Sequence, residues 1–136
     1  MDQINLEHRR ALERANASVA AVAGRAASDP RRPIYHLTAP AYWINDPNGP
    51  VHFDGETHLF FQHNPFASQW GKMCWGHAVS RDLVHWEHLP IALAPGPRSY
   101  DKDGIFSGCC VVHDGIPTIL YTGVSPECQC IATSQD

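Results

Sequence analysis

The 136-residue sequence predicts an all-β fold of blade-like sheets with a single helix in front of them. Three observations lead there. Residues 3–27 carry a sustained apolar pattern near a 3.6-residue period. After Pro33 the texture changes to short runs rich in Val, Ile, Phe and Trp, punctuated by many of the 10 Gly and 11 Pro. Those runs fall into a set of four and a set of three, and aromatics recur through both, which favours propeller blades over a sandwich.

The helix is expected over 3–27, where Ile4, His8, Ala11, Leu12, Ala15, Val19 and Val22 share a face and Ala is abundant. Gly24 loosens its end, and Asp29-Pro30 blocks continuation. A stripe made mostly of Ala suits a cap packed on the body of the protein better than a membrane-surface helix. Pro50 to Phe53 and His58 to Gln62 read as a hairpin around Asp54-Gly55. Cys74 to Ser80 is a third strand. Trp86 to Leu93 is a fourth, its pairing limited by Pro90 and Pro95. In the second set, Phe106 to His113 and Thr118 to Thr122 flank Asp114-Gly115, and Gln129 to Ser134 follows.

Composition narrows the function classes. Ten basic against 14 acidic residues give a formal charge of −4 with no long run of either sign, which argues against nucleic-acid and anionic-membrane partners. No stretch approaches the ~18 apolar residues of a membrane span. The first ten residues lack an apolar signal core, so the expected location is cytoplasmic, and the acceptor-like Asn16-Ala17-Ser18 then carries no weight. Five cysteines, an odd number, fit reduced thiols there. Cys128-x-Cys130 has a spacing of two in a strand-like stretch, which puts both thiols on one face as small apolar fillers. The nine histidines show no ligand spacing. No metal and no cofactor are expected.

The segment Trp43-Ile44-Asn45-Asp46-Pro47-Asn48-Gly49 is the most informative in the chain. Pro47 pushes Asp46 out of helical geometry. Asn48-Gly49 tolerates φ > 0 and predicts a tight turn. The expected result is a carboxylate on a stiff platform at the start of a strand, flanked by hydrogen-bonding groups. Taken alone, N-D-P-N-G is also what an ordinary turn prefers. Three further stretches change its weight: H-L-F-F-Q-H-N-P-F at 58–66, W-G-K-M-C-W-G-H-A-V-S-R-D-L-V-H-W-E-H-L-P-I-A-L-A-P at 70–95, and D-K-D-G-I-F-S-G at 101–108. In this order and spacing the series resembles the N-terminal part of glycoside hydrolase family 32, the β-fructofuranosidases, from Arg31 to Asp136.

The resemblance implies a five-bladed β-propeller, of which about two blades fit in residues 31–136 behind a helical segment at 1–30. An incomplete propeller leaves bare strand edges, so the chain is expected to be a fragment or a truncated product. The resemblance also implies hydrolysis of terminal β-fructofuranosyl bonds with retention, in sucrose, sucrose 6-phosphate or a fructan end. Retention needs a carboxylate nucleophile and a carboxylic acid that protonates the leaving oxygen. Asp46 matches the nucleophile. Asn45, Gln62, Trp70, Phe106 and Ser107 match pocket positions: amides and a hydroxyl suit sugar hydroxyls, and aromatics offer an apolar face. The acid/base and a second aspartate belong to Glu-Cys and Arg-Asp-Pro motifs expected beyond Asp136. Glu127-Cys128 mimics the first, but too early in the order to take its role. Trp75-Gly76-His77 and Val84-His85-Trp86 read as structural, with Trp86 and Leu89 packing between blades. D-K-D-G at 101–104 lacks the downstream ligands of a calcium loop and reads as a turn, with Asp101 or Asp103 at the pocket entrance as the alternative. A non-catalytic fructoside-binding remnant, or a related furanosidase of the same fold, stands as the alternative.

Overall fold

A computed structural model describes residues 3–98 and 100–134. Helix α1 (Gln3–Ala27) precedes two antiparallel sheets. The first is a meander of β1 (Trp43–Phe53), β2 (Glu56–Asn64), β3 (Cys74–Ser80) and β4 (Glu87–Leu93). The second joins β5 (Ile105–His113), β6 (Ile116–Gly123) and β7 (Cys128–Thr133) in the same way. Two sheets in sequence, with β1 lying against β5, form part of a β-propeller.

Both Asp-Gly pairs make two-residue hairpin loops. Phe53 faces Glu56 and His113 faces Ile116 in register. Asp54 and Gly55 take φ of 50° and 79°, and Asp114 and Gly115 take 50° and 77°. Two consecutive left-handed residues match the right-handed twist of the flanking strands. Between β3 and β4, Ser80 Oγ accepts the Leu83 N–H at 2.9 Å, and Asp82 Oδ1 accepts those of Val84 and His85 at 2.9 and 2.8 Å. The S-R-D-L-V-H stretch is therefore a self-capped loop. Trp86 falls just outside β4, where the sequence placed it inside.

The core lies between the sheets. Phe60, Trp75 and Leu93 from the first meet Ile105, Cys110, Ile119 and Tyr121 from the second, all buried. Leu89 lines the space between the sheets, as expected, whereas Trp86 is half-buried and stands apart from this cluster. A smaller cluster seats α1: Ala11 and Ala15 pack on Cys74, Ile91 and Ala94, with Leu12 and Val19 beside them. Small side chains let the helix approach closely. Asn16 then reaches β4, its Oδ1 accepting the Ile91 N–H at 2.9 Å.

The heptad departs from the expectation. It is not a turn; it forms the first half of β1, which begins at Trp43 and not at Pro50. The ladder pairs Ile44 with His63 and then Pro47 with Phe61, so β1 spends one extra residue. A second extra residue falls between Asn48 and Val51. Two bulges in one strand absorb the prolines that cannot donate to a ladder. Gly49 sits in the second with φ of 57°, and a Cβ there would lie 3.1 Å from the Phe60 ring.

Candidate active site

The first bulge determines what Asp46 can do. Asn45 and Asp46 lie between the two paired positions, opposite Gln62, which stands between Phe61 and His63 on β2. An extra residue leaves the ladder and re-aims its side chain. Asp46 is accordingly exposed in a strand that is otherwise half covered. Asn48, 6% exposed, donates from Nδ2 to the Asp46 carbonyl oxygen at 3.1 Å and fixes the backbone just past the bulge. His63, fully buried, donates from Nδ1 to the Trp43 carbonyl oxygen at 2.7 Å and fixes it before the bulge. That donation sets the tautomer, and burial holds the imidazole below its ordinary pKa.

Two donors reach the carboxylate. Ser107 Oγ donates to Oδ2 at 3.3 Å from β5, and Asn45 Nδ2 donates to Oδ1 at 3.4 Å. Both bonds are long, so they orient the carboxylate while leaving its lone pairs available. Gln62 is 3% exposed, and its Nε2 has no hydrogen-bond partner among the described residues. Burying such an amide group without a partner costs about 1–3 kcal/mol. Phe106 is half-buried, and its carbonyl oxygen accepts the Trp75 Nε1–H at 3.1 Å, tying the β5 backbone to β3. Trp70 is 61% exposed on the loop that leaves β2 at this same end.

Five of the six sequence candidates, Asn45, Asp46, Gln62, Phe106 and Ser107, thus fall where β1, β2 and β5 meet, and Trp70 stands exposed on the loop after β2. A profile of the glycosyl hydrolases family 32 N-terminal domain matches residues 36–136. The chain belongs to glycoside hydrolase family 32. A sucrose-6-phosphate hydrolase of Zymomonas mobilis is 56% identical over 114 residues, covering 76% of this chain and 22% of that protein. A raffinose invertase of Escherichia coli is 49% identical over 115 residues, covering 76% and 24%. Among solved structures, a variant of the Bombyx mori family 32 β-fructofuranosidase in complex with sucrose superposes with a TM-score of 0.80 at 39% identity, over 93% of this chain and 28% of that one. The chain therefore spans about a fifth to a quarter of the length of the curated relatives it matches.

Four other acidic residues of this family 32 segment can be placed. Glu56 pairs with Arg81 at 2.9 Å and faces Phe53, seven residues along β1 from Asp46, roughly 20 Å away at strand rise. Glu127 lies in the β6–β7 turn, two strands out from β5, about 10 Å at normal strand spacing. A retaining pair needs ~5 Å. Asp101 is 1% exposed, inside the fold, and its Oδ2 accepts the Tyr121 hydroxyl at 3.1 Å. Asp103 is exposed and paired with Lys102 at 2.7 Å. Sequence reasoning missed Asn48, His63 and Asn64 as supports of the site. For Asn64 a signal existed, since Asn before Pro favours an Asx turn.

Proposed function

We propose that this chain supplies the nucleophile end of a retaining β-fructofuranosidase site, with residues 31–136 as the opening of the propeller domain and 1–30 as a helical segment packed on it. The observation that carries this reading is the bulge: an exposed carboxylate, oriented on both oxygens by Asn45 and Ser107, beside the buried Gln62, whose Nε2 has no partner among the described residues. Asp46 attacks C2 of a terminal fructosyl unit and forms a covalent fructosyl-enzyme. The leaving oxygen takes its proton from a carboxylic acid that none of the described residues supplies within reach. Water then hydrolyses the ester with that same group acting as base. Gln62, Asn45 and Ser107 bind sugar hydroxyls, and Phe106 and Trp70 offer apolar faces.

The sucrose complex of the Bombyx mori relative and the names of the bacterial relatives support sucrose or sucrose 6-phosphate as substrate class. Among the described residues no second carboxylate is hydrogen-bonded into the Asp46 site, which favours one other reading, a fructoside-binding segment without catalysis. One experiment separates them. The enzyme carrying this segment is quenched in acid during sucrose turnover, digested and analysed by mass spectrometry. A hexosyl adduct on the peptide containing Asp46 is expected. Binding of sucrose with neither adduct nor fructose release would establish the second reading instead.

A further inference from the structure

The loop between β2 and β3 carries two large exposed aromatics, Phe66 at 52% and Trp70 at 61%. Exposed aromatics on a loop ordinarily sample many orientations. Here the backbone beneath them is clamped by one buried side chain. Asn64, the last residue of β2 and 6% exposed, uses both ends of its amide on this loop. Its Oδ1 accepts the Phe66 N–H at 3.0 Å, and its Nδ2 donates to the Gln69 carbonyl oxygen at 2.9 Å. Gly71 packs so closely that a Cβ there would lie 2.8 Å from the same Nδ2. Trp70 is therefore framed by two residues that both rest on Asn64. The ends of the loop are fixed to the site as well. Asn64 pairs in register with Trp43, three residues before Asp46. Met73 accepts the Ile105 N–H at 3.1 Å, two residues before Ser107.

We propose that Asn64 is a positioning residue for the fructoside site: it holds the loop 65–71 so that the Trp70 indole stands as a preformed apolar wall for the sugar. This inference rests on the fructosidase reading of the same site. The chemistry requires an amide, because the clamp needs one acceptor and one donor on a short stem; a carboxylate in its place offers no donor to Gln69. Ordering the loop during folding removes that entropy cost from substrate binding.

A double-mutant cycle on sucrose hydrolysis tests it, in the enzyme carrying this segment. Asn64→Ala and Asn64→Asp should each lower kcat/KM about 10–100-fold, with the larger part in KM. In a Trp70→Ala background, Asn64→Ala should cost less than about twofold more, since coupled residues do not add. Full additivity would overturn the proposal, as would an Asn64→Asp variant with wild-type KM. Should Asn64→Ala fail to fold, Gly71→Ala presses on the same amide from the other side and enters the same cycle. If the wild-type enzyme hydrolyses no fructoside, the functional reading fails, and the clamp is judged by hydrogen exchange at the Phe66 amide. Acceleration of about tenfold or more in Asn64→Ala upholds it, and unchanged exchange refutes it.

Discussion

At the scale of single residues, burial decides which groups can change charge. His77 is half-buried on β3, its Nε2 lies 2.9 Å from Nδ1 of His58, and the Phe60 ring stacks on it at 4.5 Å. Burial, with His58 adding to it, pushes the imidazole from 6.5 down to about 4. Between those values the unfolded chain binds a proton that the folded chain refuses. The folded state keeps its full advantage above pH 6.5 and loses it as pH falls toward 4, by up to about 3 kcal/mol. His63 and His88, also lowered by burial, act with the same sign. The melting temperature should therefore fall between pH 6.5 and 4, and His77→Phe should flatten that fall. An equally steep fall in the variant would contradict the assignment. Glu127 gives a second residue-scale prediction. It lies in the β6–β7 turn, two strands out from β5, and outside the junction that holds Asp46, so Glu127→Gln should keep kcat for sucrose within about twofold; a loss nearing the ~10²–10⁴-fold of a missing general acid would refute this. Asp46 stood out in the sequence through its Asn-Asp-Pro-Asn-Gly setting, whereas its role and the choice of Asn45, Gln62 and Ser107 came through resemblance to the family. The roles of Asn48 and Asn64 were not legible there, since each depends on which backbone atoms the fold brings within 3.1 Å of its amide.

At the scale of elements, local chemistry and tertiary pairing divide the credit. Both hairpins were readable because Asp-Gly satisfies a turn that needs two left-handed residues. The helix was readable from its period, and its bounds matched 3–27. The path of β1 was not, because Pro47 and Asn48-Gly49 each favour a turn locally. Pairing with β2 overrides that preference, and the strand bulges twice to accommodate it. The seating of α1 rests on two features that mutation can separate. Ala15 is fully buried against the first sheet, so Ala15→Leu should overpack the contact and destabilise the protein by about 1–3 kcal/mol. Asn16→Ala leaves the Ile91 N–H on β4 without its acceptor and should cost about 1–3 kcal/mol. Denaturant unfolding of both variants checks these values, and changes below about 0.5 kcal/mol would mean that the helix is not seated as described.

At the scale of the whole molecule, two sheets splay from a shared core around a wedge of about 720 Å³, lined by Phe60, Leu93, Ile119 and Tyr121 among others. The outer face of the second sheet is bare. Cys109, Leu120 and Ile131 form a cross-strand row, all exposed, with Ile131 at 67% and Val111 nearby at 46%. A flat apolar strand face in water seeks a partner. The 136-residue chain on its own should therefore associate in solution, and Leu120→Lys with Ile131→Lys should reduce that association in sedimentation or light scattering. Unchanged association in the double variant would place the sticky surface elsewhere. The same chain should release no fructose from sucrose, because none of the acidic groups placed above is set to protonate the leaving oxygen. The order of strands and the blade-like grouping were legible from turn spacing alone. The count of five blades was not, since that number came only through resemblance to the family.

The account stands on Asp46 as the attacking carboxylate, and one substitution tests it most directly. Asp46→Asn, made in the enzyme that carries this segment, keeps the shape of the side chain and removes its charge. Fructose release from sucrose should fall by at least about 10³-fold while the melting temperature stays unchanged. A variant that folds normally and keeps more than about a tenth of wild-type turnover, far above the loss a missing nucleophile causes, would contradict the account.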